Sequence, residues 1–410
     1  MIENMIIICM ILVSINSYIL FGAKKNFLFI YNIWWIVWTI FSMLNFANLY
    51  VVESNTYFSF FVIFLATNLV YIFRFRPKII KLSSIGLNYK TYVKLYLILY
   101  ILITLVFLLK MYTLLDGSAI NYWKARSIFW SVPINGKITP LFPSPLVGAL
   151  YHILSYMLQF AFLYSLYVFL SNGNKSCLLL SLFAIALYCV LSSGRNMLIM
   201  NFILIILYAF KSGNFKRIKN VLFVAFAMIF TLTIIRNGGV EVFFQAIISY
   251  FTGPFIYYQL MSETISSFSY GNVFLSQYLA PVYKYLTVFN INIPQDYIEL
   301  TTQLQEHMRI SDNNPYYNYY NALPSWLLFS YKDFGFFGVF LYPIIFFTLY
   351  SWFINKINYN NIDALLMVTY LEVTLLWSLF KPVFFDVSLF FVLIIYYVLT
   401  RISFKKGQSQ

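Results

Sequence analysis

Residues 92–109 read YVKLYLILYILITLVFLL, an apolar run in which Lys94 is the single charged residue. At the 1.5 Å rise per residue of an α-helix, a run of about 20 residues matches the ~30 Å hydrocarbon core of a bilayer. Because lipid offers the backbone no hydrogen-bond partners, such a run must form a helix that satisfies its own N–H and C=O groups. The segment therefore predicts a transmembrane helix, and with it a membrane protein.

Ten further apolar blocks follow the same pattern along the chain. The 410 residues are 61% hydrophobic and only 10% charged, whereas about a quarter of the residues of a soluble domain are charged. The predicted spans are 5–21, 26–48, 57–73, 92–109, 147–170, 177–193, 196–210, 220–235, 335–355, 364–380 and 387–401. We therefore predict an all-α polytopic protein of about eleven transmembrane helices, forming a single membrane domain over 1–410.

The net charge of +14 would suit a nucleic-acid-binding protein, but the positions of the charges indicate membrane topology instead. One alternate set of gaps between the spans holds 17 of the 27 basic residues and a single acid, Asp363. These basic residues are Lys24, Lys25, Arg74, Arg76, Lys78, Lys81, Lys90, Lys94, Lys175, Lys211, Lys216, Arg217, Lys219, Lys356, Arg401, Lys405 and Lys406. Because cytoplasmic loops accumulate Lys and Arg, we predict an outer amino terminus, a cytoplasmic carboxyl terminus and no nucleic-acid partner.

Two long segments fall on the predicted outer side. The first, 111–146, contains four prolines, which favour an ordered but irregular crossing of the surface over a helix. The second, 236–334, is too long to be structureless. Its apolar stretch 240–260 carries an acid and a break at Gly253-Pro254, and a full crossing there would move the last inner lysines outside. We therefore predict an interfacial or re-entrant helix near 240–260.

Four arginines lie on the predicted outer side, where positive charge runs against the cytoplasmic bias. Arg195 ends a Ser-Ser-Gly-Arg turn, Arg236 precedes Asn-Gly-Gly, and Arg126 and Arg309 lie in the two long loops. A guanidinium binds phosphate oxygens bidentately, and glycine lets the backbone approach a ligand. All four are candidates for binding a lipid-linked pyrophosphate. The alternative is that each is an interfacial anchor or a local ion-pair partner.

Few residues suit acid–base chemistry. His307, in the large outer loop, is a candidate general base, whereas His152, early in the fifth span, is expected to be a packed or hydrogen-bonded helix residue. Glu372 is the one acid in mid-span; it is either functional or a neutral, hydrogen-bonded side chain. The outer side has no DxD, HExxH, P-loop, GxGxxG or CxxC pattern, so we expect neither a metal nor a cofactor.

Four stretches, taken together, resemble one family. They are Ser192-Ser-Gly-Arg195, Arg236-Asn-Gly-Gly239, Tyr250-Phe-Thr-Gly-Pro254 and Asn321-Ala-Leu-Pro-Ser-Trp-Leu-Leu-Phe-Ser-Tyr-Lys-Asp333-Phe-Gly335-Phe-Phe-Gly338. Their order, the layout of the spans and the long outer loop late in the chain resemble the Wzy-type polymerases of O-antigen and other oligosaccharide repeat units. These are GT-C-like membrane glycosyltransferases.

The resemblance implies an enzyme of polysaccharide or lipopolysaccharide biosynthesis in the bacterial cytoplasmic (inner) membrane, with its active site on the outer, periplasmic face. It would transfer a growing glycan from undecaprenyl pyrophosphate to the terminal sugar of an incoming lipid-linked repeat unit. Its expected partners are these undecaprenyl-pyrophosphate-linked oligosaccharides and membrane lipid, and a chain-length regulator protein is a candidate partner.

The chemistry expected of such an enzyme matches the residues available. Pyrophosphate is a good leaving group, so the positive charges of Arg195 and Arg236 can stabilise the transition state without a metal. The resemblance also implies a loop histidine that activates the acceptor, and His307 occupies a comparable region. Glu241 and Asp333 are the fallback bases. Asp333 has a competing structural interpretation as the N-terminal cap of the ninth helix.

Three other functions fit the same layout. An O-antigen ligase would share the fold and the arginines but would transfer glycan to the lipid A core. A polysaccharide flippase or other transporter would be expected to show paired halves, interrupted helices and polar residues at mid-depth. A non-catalytic subunit of the export machinery is the third alternative.

The charge asymmetry generates a topology prediction. A reporter fused after Lys356 should behave as cytoplasmic, and a reporter fused within 290–310 should behave as external, because the inner gaps hold most of the basic residues. Reporter activity in whole cells measures this directly. The reverse result at either position would mean that 240–260 crosses the bilayer.

Overall fold

The computed structural model describes residues 2–21, 27–74, 87–115, 122–130, 139–194, 196–213, 215–237, 241–273, 279, 291, 307–313, 319–321, 325–354, 362–379 and 387–408. Over these residues the chain is almost entirely α-helical, with short 3₁₀ turns and one two-stranded sheet. The all-α prediction is therefore confirmed.

The described helices run from Ile2 to Gln408. In chain order they are α1 (Ile2–Phe21), α2 (Phe27–Met43), α3 (Ser54–Arg74), α4 (Lys90–Leu114), α5 (Tyr122–Trp130), α6 (Pro145–Asn172), α7 (Ser176–Leu191), α8 (Asn196–Ser212), α9 (Phe215–Asn237), α10 (Glu241–Thr264), α11 (Trp326–Phe334), α12 (Phe336–Ile354), α13 (Ile362–Leu376) and α14 (Val387–Gln408). Strands β1 (His307–Arg309) and β2 (Tyr319–Asn321) pair antiparallel. Each predicted span coincides with a helix, and α5, α10 and α11 are additional.

Several helices have the length and composition to cross a bilayer. Among the described residues five do so: α1, α3, α4, α6 and α13 with its 3₁₀ extension Trp377–Leu379. The pair α11–α12 makes a sixth if it counts as one broken span, and five shorter apolar helices have at most 17 residues. A multi-pass α-helical membrane protein is supported by these lengths, and the number eleven stays a prediction.

The exposed helix surfaces are apolar. On α4, Leu99, Leu102 and Val106 are 51%, 54% and 63% exposed, and α1 exposes a similar stripe. A soluble protein rarely leaves so continuous an apolar surface in water, because its burial is favourable. Lipid chains would cover such a surface, which supports the membrane interpretation.

The chain forms two compact units. Unit 1 comprises Met1–Ile80, Asn237–Ile357 and Leu371–Asp386. In it α3 packs against α12, and α1 packs against α2 and α3. Buried Asn32 of α2 and Asn68 of α3 exchange two hydrogen bonds, each amide nitrogen donating to the other's oxygen at 2.9 Å. A reciprocal amide pair between apolar helices fixes their register.

Unit 2 comprises Lys81–Arg236, Asn358–Tyr370 and Val387–Gln410. Its α4 packs against α6 and α7, and α14 packs against α6. The hydroxyl of Tyr100 on α4 lies 3.2 Å from that of Tyr151 and 3.0 Å from that of Ser155, both on α6. Buried hydroxyl groups that satisfy one another in this way join the two helices.

A sharp corner in unit 1 joins α11 to α12, which are bent by 118°. Gly335 has the left-handed φ of +59°, and a Cβ there would lie 3.0 Å from the Phe268 ring. A Cβ on Gly338 would lie 1.9 Å from the carbonyl oxygen of Ser330, a distance at which only glycine fits. The stretch Asp333-Phe-Gly-Phe-Phe-Gly338 therefore encodes the corner.

Two local expectations differ from the structure. The segment 111–146 contains α5, so part of it is helical; its prolines follow this helix rather than interrupt it. The expected break at Gly253-Pro254 is absent, because α10 continues through it. Residues 251–258 of α10 are all buried in unit 1. The packing of α2 and α3 against α10 compensates for the backbone hydrogen bond that the proline removes. The relation of α10 to the membrane surface stays a prediction.

In the turn before Arg195, the residue with the left-handed backbone conformation is not the glycine that the sequence suggests. Ser193, not Gly194, adopts the left-handed conformation, with φ of 53°. Ser193 N donates to Val190 O at 3.2 Å, and Gly194 N donates to Cys189 O at 3.1 Å. These two bonds form the Schellman motif that ends α7, in which the left-handed residue is usually glycine.

The corner generates a stability prediction. Gly338→Ala should lower the free energy of unfolding by at least about 3 kcal/mol, because its Cβ would collide with rigid backbone of α11. Gly194→Ala is the matched control. Its Cβ would make an ordinary contact of 3.4 Å with Ser192 Oγ, so the change should be within about 0.5 kcal/mol. Thermal unfolding in detergent micelles measures both. Equal stability of the two variants would contradict the close approach of α11 and α12.

Candidate functional site

A buried carboxylate organises the corner between α11 and α12. Asp333, the penultimate residue of α11, is fully buried. Its Oδ1 accepts hydrogen bonds from Ser269 Oγ at 2.6 Å, Gly271 N at 3.1 Å and Val273 N at 2.9 Å. Its Oδ2 accepts one from the hydroxyl of Tyr342 on α12. Four donors thus stabilise one buried negative charge.

Three of the four donors belong to a turn that follows α10. Tyr270 and Gly271 have left-handed φ values of 47° and 90°, and in this conformation the N–H groups of Gly271 and Val273 both point at the carboxylate, in the manner of an anion-binding nest. Lys332 reinforces the turn by donating from Nζ to Ser267 O at 2.9 Å. We call residues 267–273 together with Asp333 and Tyr342 the carboxylate clamp.

The clamp corrects both interpretations of Asp333 made from the sequence. Asp333 is not the N-terminal cap of the ninth helix, because it lies inside α11 and two residues separate it from the start of α12 at Phe336. It is also unsuited to be a fallback base, since both oxygens already accept hydrogen bonds and no face is open to a substrate. The turn signature Ser-Tyr-Gly-Asn at 269–272 could have indicated a turn, but nothing in the sequence pairs it with Asp333.

The segment that carries His307 and Arg309 is fixed to the connection between α2 and α3. Tyr50 N donates to Ile310 O at 2.9 Å, and Ser311 Oγ donates to Asn48 O at 2.6 Å. Two left-handed asparagines, at 45 and 48, shape this connection. Because strand β1 lies directly before Ile310, these bonds hold the backbone of both predicted site residues at the start of α3.

Arg309 makes an ion pair with a neighbour in the chain. Its guanidinium lies 2.8 Å from the Asp312 carboxylate, and the two side chains are 53% and 54% exposed. An exposed pair of this kind contributes little to stability, so the guanidinium can exchange its partner for a ligand anion at low cost. The ion pair matches the local alternative considered for this residue, and binding of pyrophosphate stays a prediction.

The surface around this segment is held by polar contacts from several helices of unit 1. Gln259 of α10 accepts from Glu53 N at 2.9 Å, and Ser54 Oγ donates to Glu3 at 3.0 Å. These bonds bring the beginnings of α1 and α3 together with the latter half of α10. We call residues 45–56, Gln259 and 307–313 the outer platform, after the side of the membrane on which the charge pattern predicts them to lie.

The structure describes the other predicted site residues less completely. Arg126, half-buried, is on α5 in unit 2. Arg236 is the penultimate residue of α9, and Glu241 is the first residue of α10; the side chains of both, and that of His307, lie outside the described part of the structure, as does Arg195 entirely. The structure thus brings together His307 and Arg309, two residues apart on β1.

His152 matches the expectation of a packed helix residue. It is 5% exposed in α6, its ring stacks on Trp130 at a centroid distance of 5.6 Å, and Phe129 and Phe142 meet it edge-on. Trp130 and Phe129 end α5, so these contacts dock α5 on α6. Glu372 in α13 is 2% exposed, and its function stays a hypothesis.

A small cavity in unit 2 contains none of the predicted site residues. It is lined by Tyr164, Tyr167, Asp363 and Tyr396 with apolar neighbours, and it has room for about one water molecule. A glycan or a pyrophosphate would not fit in it. The outer platform is therefore the better candidate site among the described residues.

Comparison with known proteins identified no relative of this chain. A scan against models of known protein families, a search of curated proteins and a search of solved structures found no match. The function is therefore argued from this chain's own residues.

The carboxylate clamp generates a second stability prediction. Asp333→Ala should lower the free energy of unfolding by at least about 3 kcal/mol, because it removes the acceptor of four hydrogen bonds that hold the corner together. Asp312→Ala is the matched control: it removes an exposed acid from its arginine and should cost at most about 1 kcal/mol. Thermal unfolding of both variants tests the clamp, and a loss for Asp333→Ala as small as the control's would contradict it.

Proposed function

We propose that the protein is a polymerase of lipid-linked oligosaccharide repeat units of the Wzy type, and that it builds O-antigen or a similar surface polysaccharide. In this proposal it is a GT-C-like membrane glycosyltransferase with about eleven crossings. It works at the outer face of the bacterial cytoplasmic membrane on undecaprenyl-pyrophosphate-linked glycans.

The observation that carries the proposal is the folding of the stretch on which the family resemblance rests. Asn321 ends β2, and the residues from Trp326 to Gly338 form the bent pair α11–α12 around the carboxylate clamp. The clamp ties residues 269–273, which follow α10, to the far end of the large outer loop at Asp333. The loop residues His307 and Arg309 are in turn tied to the outer platform. A rigid support of this kind is what a loop-borne transferase site requires.

The proposed reaction needs charge stabilisation more than acid catalysis. A hydroxyl oxygen of the acceptor's terminal sugar attacks the anomeric carbon of the growing glycan, and the bond from that carbon to the pyrophosphate oxygen breaks. The negative charge that develops on pyrophosphate is stabilised by Arg195 and Arg236, with Arg126 and Arg309 as further ligands. His307 accepts the proton of the attacking hydroxyl, with Glu241 as its alternative.

A transporter of lipid-linked glycan is the second candidate function. The specific observation in its favour is the 118° bend between α11 and α12, because interrupted helices are typical of transporters. A strain that lacks the protein separates the two functions. Loss of the polymerase leaves single repeat units on lipid at the outer face, whereas loss of the transporter leaves no glycan there.

The proposal predicts that position 236 requires the planar guanidinium group of arginine and not only a positive charge. Arg236→Lys should shorten or abolish long-chain polysaccharide, because lysine keeps the charge but loses the bidentate fork that matches phosphate. Arg217→Lys, at the other end of α9, is the matched control and should give normal chains, because a lysine anchors at the membrane surface as well as an arginine.

The measurement is the length of surface polysaccharide on a gel, in a deletion strain complemented with each variant and with protein level checked by blot. Arg195→Lys should behave like Arg236→Lys. Normal long chains from both variants at normal protein level would show that these arginines are anchors, and would remove them from the proposed site.

A further inference from the structure

The N-terminus of α11 lies deep inside unit 1. Trp326, its first residue, packs against Phe346 of α12 with ring centroids 5.8 Å apart. Phe346 is ten residues beyond the start of α12, which places it about 15 Å along the axis from the corner. α11 therefore folds back towards α12 at the angle set by the 118° bend, and its first residue lies in the packed interior of unit 1.

Two buried donors at this helix end have no partner. Ser325 is 1% exposed and Trp326 is 0% exposed, and among the described residues neither Ser325 Oγ nor Trp326 Nε1 has a hydrogen-bond partner. Ser325 occupies the N-cap position yet makes no capping bond. Ser144, at the same position of α6, does accept from Val147 N. The Ser325 hydroxyl is thus uncommitted where a serine normally caps.

The location distinguishes these two groups from other buried donors. Trp35 Nε1 and Thr39 Oγ1 also have no partner within the described chain, but both lie inside α2, where no orphan backbone N–H groups accompany them. At the start of α11 the first backbone N–H groups and the positive end of the helix dipole add to the hydroxyl and the indole N–H. Donors of three kinds therefore belong to two consecutive buried residues at one helix end.

We propose that the N-terminus of α11 binds a phosphate-type oxyanion. The backbone N–H groups, the Ser325 hydroxyl and the Trp326 indole N–H would each donate to its oxygens, an arrangement that helix N-termini use for phosphate elsewhere. Discontinuous membrane helices place such ends at mid-depth towards anionic groups of their ligands. The inference deepens the proposed function and rests on it for the choice of lipid probe, an undecaprenyl phosphate.

The test measures binding by the full-length protein in nanodiscs. Native mass spectrometry is used with two probes, undecaprenyl phosphate and inorganic pyrophosphate. Ser325→Ala and Trp326→Phe should each weaken binding about tenfold or more, because each removes a hydrogen bond to a charged group. Trp326→Phe keeps the ring contact with Phe346. Ser330→Ala is the control, since its buried hydroxyl bonds to Trp326 O and Leu327 O within α11, and its binding should match wild type.

The outcomes are distinct. Weakened binding of the lipid probe alone identifies a lipid headgroup, and weakened binding of pyrophosphate alone identifies a free anion; either supports the site. Wild-type protein that binds neither probe overturns it. Wild-type affinity in Ser325→Ala, together with a higher melting temperature, also overturns it and indicates an ordered water only. Polysaccharide length in the complemented strain is scored separately, so a protein that binds the anion but makes no polymer refutes the proposed function and leaves this site intact.

Discussion

The burial of the Asp333 carboxylate is the constraint on which the corner of unit 1 depends. An unpaired charge in an apolar interior is strongly unfavourable, so the chain must bring donors to it. Those donors come from residues about sixty positions earlier in the sequence and from α12. Meeting this requirement fixes the end of α10, the corner and the start of α12 at once. Residues 269–273 and the end of α11 are thereby anchored to one side chain.

The helices could be predicted because their cause is local. An apolar block of sufficient length in lipid has a single way to satisfy its backbone, and every predicted span coincides with a helix. The carboxylate clamp could not be predicted, because its donors are distant in sequence. The residues of a turn such as 269–272 do not identify the side chain that the turn contacts. The glycines of the corner were conspicuous, but their role depends on the Ser330 carbonyl and the Phe268 ring, which only the fold supplies.

The same distinction between local and distant contacts applies to the candidate site. The bond of Arg309 to Asp312 spans three residues and is open to sequence analysis. The attachment of Ile310 and Ser311 to 48–50 spans more than 250 residues and is not. The same holds for His152, whose packing against Trp130 becomes visible only when α5 is known to be a helix. Residue types thus indicate which chemistry is available, while tertiary contacts decide which residues share a surface.

The unequal lengths of α6 and α7 have a consequence for the membrane itself. These neighbours in unit 2 have 28 and 16 residues, or about 42 Å and about 24 Å of helix. In a bilayer with a core of about 30 Å, the first is too long to stand upright and the second too short to span it. A crossing by both requires α6 to tilt or protrude and the lipid next to α7 to thin. Two crossings of such unequal length would create a hydrophobic mismatch within unit 2, and the stability of the protein should then respond to the acyl-chain length of the surrounding lipid.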